Sequence, residues 1–136
     1  MLDAFRLKEM TATLEALPCR VVLPPGWKDF FHRRGPQVWP GDNRRRYVRS
    51  HFPMRAVLEI LGNLPAVPRG RDEHVVLMKD ISRGGAGFLH AAPVYPGERV
   101  RLWLPTGSLE YAVVRCARHH ELCYEIGAEI ATDGPA

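Results

Sequence analysis

Apolar positions divide the chain into three stretches with different periods. In residues 2–17, Leu7, Met10, Leu14 and Leu17 recur at intervals of three and four, which puts them on one stripe of a short amphipathic helix. Pro18 ends that helix, because it offers no backbone donor and clashes with the preceding turn. So short a stripe is stable only when packed, and the expected support is the main domain rather than a second copy of the chain. Residues 18–42 form a connector rich in Pro and Gly, with Trp27, Phe30, Phe31 and Trp39 among its basic residues. Those aromatics either cover the main domain or face a partner, and the sequence is compatible with both.

From residue 43 onward the pattern becomes that of strands. Runs at 56–61, 74–79, 85–90, 100–104, 110–117 and 122–130 read as β. The breaks between them hold Pro65, Pro68 and Gly70, then Pro96-Gly97, Thr106-Gly107 and a tight connection at His119-His120. No break has the length of a crossover helix, so the strands pair antiparallel, as a barrel or a sandwich. The expected organisation is a helix at 1–17, a connector at 18–42, a β domain at 43–130 and a tail at 131–136.

At 136 residues and 46% hydrophobic, the chain has one ordinary core's worth of apolar sequence. No apolar run approaches the roughly 18 residues of a membrane span. Asp3, Arg6, Lys8, Glu9 and Glu15 deny the N-terminus the apolar centre of a secretory signal, so a cytoplasmic protein is expected. Three cysteines, Cys19, Cys116 and Cys123, are too few and odd in number for a disulfide scaffold. Charge sharpens the picture through its placement. Residues 20–55 hold nine Lys/Arg and two Asp, against a net of only +4 for the whole chain, so the rest is mildly acidic. One basic segment on such a body points to an anionic partner.

Two segments carry candidate chemistry. Arg44, Arg45, Arg46 and Arg49 lie just before a strand. Planar guanidinium forks suit phosphate oxygens and the O6/N7 edge of guanine, but a basic run alone is more often solvated surface. The second is Asp80-Ile-Ser82-Arg-Gly-Gly85, at a strand end. Asp80 can accept from the paired N–H edge of guanine, Ser82 adds a hydroxyl, and the glycines permit positive φ and a close backbone approach. Alone, this too is an ordinary glycine-relieved turn.

Together the two segments resemble the PilZ domain, whose pattern is R-x-x-x-R, a gap of a few tens of residues, then [D/N]-x-S-x-x-G. Arg45 and Arg49 fill the first part; Asp80, Ser82 and Gly85 fill the second, and 50–79 is the gap. The resemblance runs over about residues 43–130. It implies a mainly β, six-stranded antiparallel barrel that binds the bacterial second messenger cyclic di-GMP. By the same resemblance, Arg44, Arg45 and Arg49 hold phosphates and guanine faces, while Asp80, Ser82 and Gly85 read a guanine edge. Arg44, placed before the motif, implies binding of an intercalated pair of nucleotides, whose clustered phosphate charges an additional cation offsets. Many relatives carry a helix after the last strand; here the N-terminal helix is expected in that place.

The implied protein is a receptor without enzymatic activity, cofactor or metal. It changes conformation on binding cyclic di-GMP and signals to a downstream protein, with an arginine segment that is mobile before ligand arrives. Two other readings are an adaptor that keeps the barrel without binding nucleotide, and a basic barrel for single-stranded nucleic acid. Intact motifs weigh against the first. The second wants aromatics interleaved with Lys/Arg on a sheet face, and the aromatics here lie elsewhere. Cys116, His119, His120 and Cys123 have zinc-like spacing. With a turn at His119-His120 the cysteines would be opposed and the histidines would point away, so a pair of free cysteines is expected instead.

Overall fold

The computed structural model describes residues 2–27, 29–32, 35–36, 50–62 and 72–131. Helix α1 (Leu2–Ala16) is followed by a 3-10 turn at Phe30–His32 and a two-residue strand β1 (Gly35–Pro36). Six longer strands follow: β2 (Ser50–Gly62), β3 (Asp72–Ile81), β4 (Gly85–His90), β5 (Arg99–Leu104), β6 (Gly107–His120) and β7 (Cys123–Ile130). Neighbours run β2-β3-β4-β7-β6-β5, and β2 also pairs with β5, closing the barrel; β1 adds to β2 from outside the ring. Every pairing between these strands is antiparallel. Among the described residues, no helix is long and apolar enough to cross a membrane.

Alternation fills the interior. Ala56, Leu58 and Ile60 of β2 meet Val76 and Met78 of β3, Phe88 of β4, Val100 and Leu102 of β5, Tyr111 and Val113 of β6, and Ile126 and Ala128 of β7. The expected six-stranded barrel is present, but several strands outrun their patterns, β2 and β6 by the most. Strand β2 begins at Ser50 rather than 56, because Pro53, which cannot donate to a ladder, falls where the register with β3 shifts between His51 and Met54. Strand β6 runs through His119 and His120, and the turn is Glu121-Leu122.

The outer face is covered in two places by the N-terminal segment. Helix α1 seats Met10, 2% exposed, on Val57 and Trp103, with Leu7 and Leu14 beside it. Burying a methionine stabilises by about 1.5–3 kcal/mol. A polar clasp adds direction: Glu59 accepts from Trp103 Nε1 and from Arg6 Nη2, each at 3.1 Å, and the Arg6 guanidinium stands over the Trp103 ring. The helix therefore packs on its own barrel. Its stripe is shorter than the spacing implied, for Leu17 is exposed. Further along, Cys19 bridges Val75, and Trp27 and Phe30 pack with Leu77, Leu89 and Cys123. Covering the barrel is thus the role of Trp27 and Phe30; Phe31 is half exposed, and Trp39 lies outside the described residues.

Candidate functional site

Beyond the connector the outer face of β3, β4, β7 and β6 is left with small residues, and two bulges decide what surrounds them. On β3, Met78 pairs with Phe88 but Asp80 pairs with Gly87, so Lys79 is one residue too many. Simple alternation from Val76 and Met78 would send Asp80 into the barrel; the bulge turns it to the outer face. On β6, Val113 pairs with Ala128 but Arg115 pairs with Gly127, so Val114 is the extra residue and Arg115 likewise turns outward. Gly87 and Gly127 pair with each other. The result is one transverse strip, Asp80–Gly87–Gly127–Arg115, about 14 Å from first strand to last at usual strand spacing.

Both glycines are needed because the flanking side chains lie down on them. A Cβ at Gly87 would stand 2.6 Å from Asp80 Oδ1, and one at Gly127 would collide with the Arg115 side chain. Asp80 is 2% exposed, with the Lys79 ammonium 3.8 Å from Oδ2. Little of Asp80 therefore meets solvent. Arg115 is exposed.

The hairpin joining β3 to β4 is closed by its own polar groups. Ser82 N–H donates to Gly85 O at 2.9 Å, and Gly84 N–H donates to Ser82 Oγ at 3.3 Å. Ile130 N–H donates to Gly84 O, tying the loop to the end of β7. Gly85 is required by close approach to the Ala128 carbonyl, where a side chain would collide. Among the described residues positive φ occurs at Gly26, Gly97 and Gly107, so the expectation that this loop's glycines serve positive φ is corrected: Gly85 serves strand contact.

A family model for the PilZ domain matches residues 43–135. The chain belongs to the PilZ domain family. No curated protein matches it. Of the residues that the PilZ motifs single out, Asp80, Ser82 and Gly85 are brought together on one hairpin, while Arg44, Arg45 and Arg49 lie outside the described residues. Arg115 was missed by motif reasoning. Its signal was a charge on an inward phase of β6, after Tyr111 and Val113, opposite a glycine.

A charged chain links the PilZ strip to the connector. Lys79 Nζ donates to Glu125 Oε2 at 3.1 Å, Glu125 Oε1 meets His119 Nε2 at 2.6 Å, and the His119 ring packs on Trp27 at 5.2 Å. Burial pushes the Glu125 carboxyl up, but the His119 hydrogen bond and the Lys79 charge outweigh it and hold it below its ordinary value of 4.5. The cysteine expectation is corrected. Cys116 pairs with Ile126 and packs toward the interior, whereas Cys123 is buried under the connector. They are not opposed, because the turn lies at Glu121-Leu122 rather than at the histidines. Burial raises both thiols, so neither is an activated nucleophile. Among the described residues, no three His, Cys, Asp or Glu gather as metal ligands.

Proposed function

We propose that this protein is a bacterial, cytoplasmic receptor for cyclic di-GMP that passes nucleotide occupancy to a downstream protein partner and catalyses nothing itself. The observation that carries the reading is the Asp80-Ser82-Gly85 hairpin, the second part of the PilZ pattern, whose carboxylate a bulge turns to the outer face. Asp80 accepts the N1–H and N2–H₂ edge of a guanine, and Ser82 and Gly85 set the hairpin that presents it. Arg45 and Arg49 hold phosphates and guanine faces, Arg44 supports a second, intercalated nucleotide, and Arg115 offers its guanidinium from the far end of the strip. Because Asp80 is buried, binding is coupled to rearrangement beside it, which supports a switch rather than a rigid trap. No cofactor takes part; the nucleotide is the ligand.

Calorimetric titration of the full chain with cyclic di-GMP tests this, with Arg45→Ala and Arg49→Ala as controls and thermal unfolding to check their fold. Saturable binding with two nucleotides per chain is expected, lost in both folded variants. One nucleotide per chain would remove the intercalated pair, and wild-type affinity in either variant would refute the site assignment.

A further inference from the structure

Where the covered half of the outer face meets the strip, a cavity of about 310 Å³ opens, lined by Gly26, Trp27, Asp29, Phe30, His51 and Lys79. Two of these adjoin the motif: His51 is the cross-strand partner of Asp80, and Lys79 is its chain neighbour. The other four belong to the connector, upstream of the matched region at 43–135. The connector wall is braced. Trp27 stacks on Phe30 with ring centroids 6.2 Å apart and planes 14° from parallel, and His119 packs against it from the barrel. His119 is in turn held by Glu125, which also holds Lys79. A wall already braced this way spares the ligand part of the ordering entropy of binding.

We propose that this cavity is a subsite for one guanine base, so that the N-terminal connector supplies part of the nucleotide site. The inference rests on the cyclic di-GMP reading of the hairpin beside it. Trp27, half-buried, gives apolar aromatic surface for a base, with the buried Phe30 ring stacked beside it. The Asp29 carboxylate suits the N1–H and N2–H₂ donors of guanine, and Lys79 suits its O6 and N7 acceptors. Adenine has no N1–H and carries an amino group where guanine has O6, so the same lining disfavours it. The volume lies at the lower end of the roughly 300–1,000 Å³ usual for small-molecule sites, room for one ring system but not a whole dinucleotide. The remainder of the ligand therefore lies outside the cavity, toward Asp80.

The test is calorimetric titration of the full chain with cyclic di-GMP and with cyclic di-AMP, comparing wild type, Trp27→Ala, Asp29→Asn and Arg49→Ala. Trp27→Ala is expected to weaken cyclic di-GMP binding about fivefold or more, the low end of base–aromatic stacking. Asp29→Asn is expected to weaken it and to narrow the preference for cyclic di-GMP over cyclic di-AMP. Asp29 is exposed, so its variant carries the test even where loss of Trp27 unfolds the connector. Wild-type affinity and preference in Asp29→Asn, and wild-type affinity in any folded Trp27→Ala, with Arg49→Ala still defective, would overturn the subsite while leaving the receptor reading in place. Absence of binding by the wild-type chain would overturn both.

Discussion

Replacing Gly87 by alanine tests the strip at its tightest point. The new Cβ would stand 2.6 Å from Asp80 Oδ1 and 3.2 Å from its Cγ, where real Cβ atoms essentially never come closer than 3.0 Å. Asp80 must therefore retreat by about 0.4 Å merely to avoid overlap, and by nearly 1 Å to reach ordinary contact. Its side chain is 3% exposed, so there is no open solvent to retreat into. Overpacking of this kind costs about 1–3 kcal/mol in stability. A displacement near 1 Å also takes a hydrogen bond of ordinary length out of range. Loss of one charged hydrogen bond, about 1.5–3 kcal/mol, corresponds to roughly 10- to 140-fold weaker nucleotide binding. Denaturant unfolding measures the first effect and calorimetric titration the second. Wild-type stability and affinity in Gly87→Ala would refute the claim that Asp80 lies over this glycine and acts from there.

Other consequences are as direct. Glu59→Ala leaves the Trp103 indole N–H without its acceptor and removes the partner of Arg6 on the barrel, so thermal unfolding should show a loss of ~1–3 kcal/mol. Limited proteolysis should then cut within α1, and an unchanged cleavage pattern would detach the clasp from helix docking. Glu125, held below its ordinary pKa, binds its proton more weakly folded than unfolded. Its stabilisation is present above about pH 4.5 and disappears as pH falls through the lowered value. Wild type should therefore lose more melting temperature than Glu125→Gln between about pH 5 and 3, and parallel curves would contradict that assignment. Arg115→Ala removes an exposed guanidinium, so the fold should survive while cyclic di-GMP binding weakens severalfold; unchanged affinity would exclude Arg115 from the site.

What could be read from the sequence follows from which interactions are local. Alternation in Val100–Leu104 and the turn residues between strands are properties of a few neighbours, so an antiparallel set of short strands was legible, and the resemblance to the PilZ domain chose the barrel over the sandwich. The Asp80-Ser82-Gly85 hairpin was legible for the same reason. Bulges were not. Lys79 and Val114 are extra residues only relative to partners on other strands, and they reverse the facing of Asp80 and Arg115. The same limit misplaced the cysteines, since sliding the turn from His119-His120 to Glu121-Leu122 changes every facing pair of the hairpin. Helix α1 was visible from its leucines and Met10, but the Arg6–Glu59–Trp103 clasp joins residues as much as 97 positions apart in the numbering. Such contacts leave no local trace.

The most direct measurement is isothermal titration of the purified full chain with cyclic di-GMP at two salt concentrations, alongside a single-stranded oligonucleotide of matched phosphate count. The account predicts saturable binding of cyclic di-GMP at both concentrations. For the oligonucleotide it predicts at most weak association that collapses as salt rises. No heat or saturation with cyclic di-GMP, or tighter binding of the oligonucleotide, would contradict the receptor reading.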